Sequence, residues 1–175
     1  MTLLAAVVVL LAVVTAAHLL LTFALIRRVR LLQEQGVGGH AAEGVPRVGS
    51  RVGSFETETT TGRRLTEADV ADALVVFLSP GCAPCLTLAD DLLRKPPSEA
   101  ITVFVAGEPG PDTDAMADRV ARLGTVAVVG DGGGPVTAFG AEAFPSVVRT
   151  RGGVVEAAGL RMKDVGSATA APART

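Results

Sequence analysis

The sequence predicts an α/β fold with a mixed sheet, preceded by one apolar N-terminal helix. Three observations carry this expectation. Continuous apolar runs at Leu74–Leu78, Ile101–Ala106 and Thr125–Val129 alternate with helical patterns. Runs of that kind suit strands buried on both faces. Two further β-like runs, Val147–Thr150 and Val154–Ala157, flank Arg151-Gly152-Gly153 and read as a hairpin. Leu3 to Ile26 is nearly all apolar, with Thr15, His18 and Thr22 the polar breaks.

The apolar N-terminal run makes about 36 Å of helix, enough to cross a bilayer core of about 30 Å. It predicts a transmembrane helix rather than a cleaved signal peptide. No Lys or Arg precedes it, and it exceeds an ordinary signal h-region. Arg27, Arg28 and Arg30 follow at once. The positive-inside rule puts that flank, and the domain behind it, in the cytoplasm. Residues 1–35 are therefore read as anchor and juxtamembrane helix. Residues 36–47 read as a flexible linker within a Gly-rich, aperiodic stretch that runs on to Gly53.

A folded domain is expected over residues 48–165. Phe55 to Thr61 alternates with Thr and Glu and reads as a strand. Gly62 turns it, and Arg63 to Thr66 pairs back. Thr66 followed by Asp69 reads as a short capped turn. Leu74–Leu78 is the central strand. Leu86 to Leu93 is a helix that ends before Lys95-Pro96-Pro97. Asp112 to Leu123 is a second helix, with Asp112 as N-cap and Met116, Val120 and Leu123 on one face. Pro135 to Ala141 is a short helix, and Leu160 to Val165 a last helical turn. Residues 166–175 are small and polar and read as a disordered tail.

Between the central strand and its helix lies Ser79-Pro80-Gly81-Cys82-Ala83-Pro84-Cys85, which holds both cysteines of the chain. A C-x-x-C between a strand and a helix of an α/β pattern is a redox signal. Cysteines three apart in a first helical turn share a face and can bridge. Unpaired N–H groups and partial positive charge at that terminus favour the Cys82 thiolate, the nucleophilic form. Pro84 costs little there and stiffens the loop. Cys82 is read as the attacking cysteine and Cys85 as the resolving one. A zinc site needs four ligands, and neither His18 nor His40 is placed to help. A purely structural bridge across so short a loop removes little chain entropy. No metal and no cofactor are expected. The net charge of −2, with no basic stripe carrying aromatics, excludes a nucleic-acid partner.

Taken together, the chain from Val48 to Leu160 resembles the thioredoxin superfamily. The strand–Cys82-Ala83-Pro84-Cys85–helix unit carries the resemblance first. Phe144-Pro145-Ser146 ahead of a hairpin matches that family's cis-proline. Gly152-Gly153, Val154-Val155 and Gly159 match the hairpin itself. The resemblance implies a three-layer fold with a mixed sheet. It also implies a cis Phe144–Pro145 bond and a substrate-binding role for Phe144 and Pro145 beside the sulfurs. An extra β-α unit before Pro145 is similar to that of the membrane-anchored, redoxin- or TlpA-like thiol–disulfide oxidoreductases of bacteria. Phe77-Leu78-Ser79-Pro80-x-Cys-x-x-Cys resembles the methylamine-utilisation accessory family, MauD. Two departures stand out. Gly81 replaces the Trp that thioredoxins carry before the first cysteine. Val75-Val76-Phe77 lacks the acid that assists the resolving cysteine.

The function so implied is a membrane-anchored thiol–disulfide oxidoreductase acting on a protein disulfide or dithiol, with a membrane electron donor if it works as a reductase. Anchored relatives act outside the cytoplasm, where disulfides persist. That sets the resemblance against the arginine flank, and the resemblance is followed. Two alternatives stay open. A peroxiredoxin-like peroxidase would use Ser79 three before Cys82, though that family's Pro is Val75 here. A copper carrier or tethered chaperone would use the thiols without catalysis.

Overall fold

The computed structural model describes residues 43–166 and, further upstream, residues 11, 14, 15 and 18. The four upstream residues are helical. Apart from them, the predicted membrane span lies outside the described residues, as do residues 27–42 and all of the predicted tail except Gly166. Among the described residues, no helix is long and apolar enough to cross a membrane.

The parallel strands of the main sheet form on largely apolar runs, whereas the first two strands are short and mostly polar. β1 (Glu56–Glu58) and β2 (Arg64–Thr66) make a small antiparallel ribbon, Thr57 opposite Leu65. A 3-10 turn, Glu67–Val70, leads to β3 (Leu74–Leu78), all of whose side chains are buried. Then come α1 (Ala83–Arg94), β4 (Ile101–Ala106), α2 (Pro111–Val120), β5 (Thr125–Val129) and α3 (Gly134–Phe139). β6 (Ser146–Arg151), β7 (Val154–Gly159) and α4 (Met162–Val165) complete the chain. The main sheet has the order β5-β4-β3-β6-β7. β3, β4 and β5 are parallel, and β6 and β7 antiparallel, so the sheet is mixed as expected. The extra unit before Pro145 supplies β5, which pairs along β4 at the sheet edge.

The two-residue period of the strands divides the core into two layers. Val75, Phe77, Phe104, Ala127 and Val148 face one side, under Phe55, Leu65, Val70 and α3. Four rings meet there: Phe77 stacks on Phe104 at 5.2 Å, while Phe55 and Phe139 meet them edge-on at 5.8 Å and 5.3 Å. Leu74, Val76, Leu78, Val103, Val105 and Val147 face the other side. α1 covers them with Cys85, Leu88, Ala89 and Leu92, and α2 with Met116, Ala117 and Val120.

Several boundaries differ from expectation. α1 begins three residues earlier than Leu86, because Cys82 caps it and Pro84 tolerates the first turn. α2 begins at Pro111 behind Gly110, so Asp112 lies in its first turn and is not the N-cap. It ends at Val120, where Leu123 N–H closes a tight turn onto the Val120 carbonyl. The hairpin turn is Gly152-Gly153 alone, since Arg151 still pairs with Val154. Residues 44–52, within the Gly-rich stretch, are docked rather than free. Val45, Pro46 and Val52 are buried, Gly49 N–H donates to Val155 O, and Val155 N–H donates to Ser50 O. Apolar side chains among the glycines hold this stretch in place.

Candidate active site

β3 delivers the chain to the C-terminal end of the parallel strands, where open α/β sheets place their chemistry. Ser79 and Pro80 are half-buried there and Gly81 is exposed. Gly81 has φ +75°, which a side-chain-bearing residue adopts only under strain. Pro80 packs against Gly107 after β4, where an added Cβ would lie 3.0 Å from the proline ring.

Cys82 is the N-cap of α1, and Cys85 lies in the first turn. The two are joined by a disulfide, with Cα atoms 5.2 Å apart. Their environments differ. Cys82 is half-buried, whereas Cys85 is wholly buried in the apolar layer under α1. Cys85 N–H donates to Cys82 Sγ at 3.2 Å. A backbone donor at a helix N-terminus stabilises negative charge on that sulfur once the bridge opens. Ala83 and Pro84 are exposed beside it. Cys82 is the sulfur a partner can reach; Cys85 is reachable only from within.

The second wall of the site comes from the loop before β6. β6 runs antiparallel to β3 with Ser146 opposite Phe77, which brings the start of β6 to the redox end. The Phe144–Pro145 bond is cis, the state the resemblance implied. The Phe144 carbonyl oxygen lies 3.8 Å from Cys82 Sγ. Phe144 is half-buried and Pro145 buried. Ser146 Oγ donates to the Ala143 carbonyl at 2.7 Å and closes the loop.

Ser79, Pro80, Gly81, Cys82, Ala83, Pro84 and Cys85 thus form one continuous turn into α1, and Phe144 and Pro145 face it from the loop before β6. Three contributors escaped sequence reasoning. Gly107 lets Pro80 approach, Ser146 ties the loop, and the carbonyl of Gly44 accepts hydrogen bonds from that loop (Glu142 N at 2.7 Å, Ala143 N at 2.9 Å). Only Ser146, next to the Phe-Pro pair, carried a local signal. Val75, Val76 and Phe77 put no acid under the cysteines; all three are fully buried. Among the described residues, no three His, Cys, Asp or Glu side chains gather as a metal site would require.

No family model and no curated protein matches the chain. Solved structures do. The thioredoxin domain of a thiol-disulfide oxidoreductase from Bacteroides vulgatus is similar at a TM-score of 0.55 and 17% identity, covering 68% of this chain and 92% of that one. A thio-disulfide isomerase from Thermus thermophilus is similar at 0.53 and 20% identity, covering 66% and 87%. A thiol:disulfide interchange protein from a Bacteroides species is similar at 0.55 and 16% identity, covering 71% and 94%. Strand order, the bridged pair at a helix N-terminus, the cis-proline loop and these neighbours together identify the fold of the described domain as thioredoxin-like.

Proposed function

We propose that the protein is a membrane-anchored thiol–disulfide oxidoreductase that exchanges the Cys82–Cys85 disulfide with protein partners. One observation carries the reading. A bridged pair sits at the N-terminus of α1 with one half-exposed and one buried sulfur, and the Phe144 carbonyl stands 3.8 Å from the exposed one. The similar structures, themselves described as thiol-disulfide oxidoreductases or an isomerase, support it.

In the reductive direction, Cys82 thiolate attacks one sulfur of a partner disulfide. A Cys82–partner bond forms, and the other partner sulfur leaves as thiolate. Cys85, as thiolate, then attacks Cys82 Sγ. The Cys82–Cys85 bond forms, the second partner sulfur leaves, and two electrons have passed to the partner. The reverse sequence oxidises a partner dithiol. Within this chain only the Cys82 and Cys85 sulfurs change bonds.

We assign Leu3–Ile26 as the anchor and the extracytoplasmic side as the site of the domain. The resemblance to anchored relatives and the persistence of disulfides in oxidising compartments support this. Arg27, Arg28 and Arg30 pull the other way. A membrane electron donor would keep the pair reduced for reductase work.

The test uses the reduced protein and a disulfide-bonded peptide. Cys82→Ser should lower exchange at least about 100-fold, since it removes the nucleophile. Cys85→Ser should accumulate a mixed disulfide through Cys82, visible by mass. Exchange that survives Cys82→Ser would sink the proposal.

A further inference from the structure

We infer that Gly44 is a positioning residue for the partner-binding loop: its carbonyl holds residues 142–145 in the register at which a partner chain meets Cys82. The inference rests on the function proposed above and deepens it.

The Gly44 carbonyl accepts from two consecutive amides, Glu142 N–H at 2.7 Å and Ala143 N–H at 2.9 Å. That uses both of its lone pairs. The next residue is Phe144, whose own carbonyl stands 3.8 Å from Cys82 Sγ. From the other side, Ser146 Oγ donates to Ala143 O at 2.7 Å. The loop that faces the reactive sulfur is therefore clamped at both ends, and one clamp lies about a hundred residues away in sequence.

The clamp is itself seated. Val45 keeps 7% of its surface, and Pro46 is buried. Further along, Gly49 N–H and Ser50 O continue the attachment onto β7. Gly44 has φ +85°, and a Cβ there would lie 3.0 Å from Ala143 N and 3.2 Å from both Glu142 C and Glu142 Cβ. Two of those three atoms are backbone of the loop, which cannot swing aside as a side-chain tip can. A single methyl group at residue 44 must push the loop.

Gly49 supplies the matched control. It has φ +86° but no atom within 4 Å of its added Cβ. Gly44→Ala and Gly49→Ala carry the same left-handed backbone penalty. Only the first also displaces residues 142–143. A difference between the two variants therefore reports the loop and not general strain.

The experiment compares wild type, Gly44→Ala and Gly49→Ala as full chains in the reduced state. Each is assayed with a disulfide-bonded peptide and with a small aryl disulfide. The peptide must lie along the Phe144 edge; the small disulfide needs only Cys82. Gly44→Ala should raise KM for the peptide about tenfold with kcat little changed, short of the roughly 100-fold that a 1 Å misplacement can cost. Its rate with the aryl disulfide, and its equilibrium with glutathione, should stay within about twofold of wild type, because the sulfurs and their N–H donor are untouched. Gly49→Ala should leave the peptide KM at the wild-type value. A peptide KM for Gly44→Ala equal to that of Gly49→Ala overturns the inference, as does an equal loss with both disulfides. Should Gly44→Ala not fold, Val45→Ala removes buried apolar surface next to Gly44 without adding a methyl group at residue 44. It should raise the peptide KM about threefold, a smaller displacement than the methyl clash makes, and no change overturns the inference. A wild-type protein that exchanges with neither disulfide would instead strike the proposed function.

Discussion

Asp69 shows how much one exposed side chain can order. Its Oδ2 accepts from Thr66 N–H at 2.8 Å and from Thr66 Oγ1 at 2.9 Å, while Oδ1 meets Arg63 at 3.2 Å. The Thr66 amide first, then the Thr66 hydroxyl, and in smaller part Arg63, hold the carboxyl below the ordinary carboxylate range. Because the folded form prefers the charged state, this stabilisation is complete above the ordinary range and is lost as pH falls through the lowered value. Asp69→Asn should destabilise the domain at neutral pH by at most about 1 kcal/mol, given its exposure. Urea unfolding should show the gap closing in strong acid. Thr66 and Asp69 were legible in the sequence, because a capping pattern is local. So were Cys82 and Cys85. Gly44 was not. Its carbonyl is chemically like any other, and only tertiary structure shows which amides it meets.

At the scale of elements, continuous apolar runs located β3, β4 and β5 to the residue. Helix ends were less legible, because Gly110-Pro111 and Cys82 override the pattern of the helices they start. β6 hides a further surprise. An arginine in a strand reads as solvent-facing, yet Arg149 keeps only 4% of its surface, since β3 and β7 flank it. It donates to the Glu99 carboxylate and, at 2.8 Å, to the Gly166 carbonyl. Its Nε has no partner among the described residues. Removing Glu99 alone leaves a buried charge. Glu99→Ala should cost about 3 kcal/mol, the low end for such pairs, because Glu99 retains 26% of its side-chain surface. The double change Arg149→Met with Glu99→Leu should cost less, since no charge is stranded. Denaturant midpoints of the three proteins decide it.

At the scale of the whole molecule, fold class and the sequence of units were legible because strands and helices alternate with distinct periods. The strand order was not, since β5 joins an edge that no local signal marks. How the N-terminal run partitions is a question for intact cells. A membrane-impermeant thiol reagent, applied with and without prior reduction, should label Cys82 and Cys85 only after reduction if the domain rests oxidised outside. Labelling that needs broken cells would put the domain with the arginines, on the cytoplasmic side.

The core of this protein is also an optical device. The chain has six phenylalanines and neither tryptophan nor tyrosine, and four of those rings lie together over β3 and β4. Near-ultraviolet circular dichroism therefore has two sources only, the packed rings and the Cys82–Cys85 disulfide. Reduction removes one and unfolding removes the other, so a single spectrum separates them. In emission excited at the indole band the protein is dark. When it meets a tryptophan-bearing partner, every photon collected belongs to the partner.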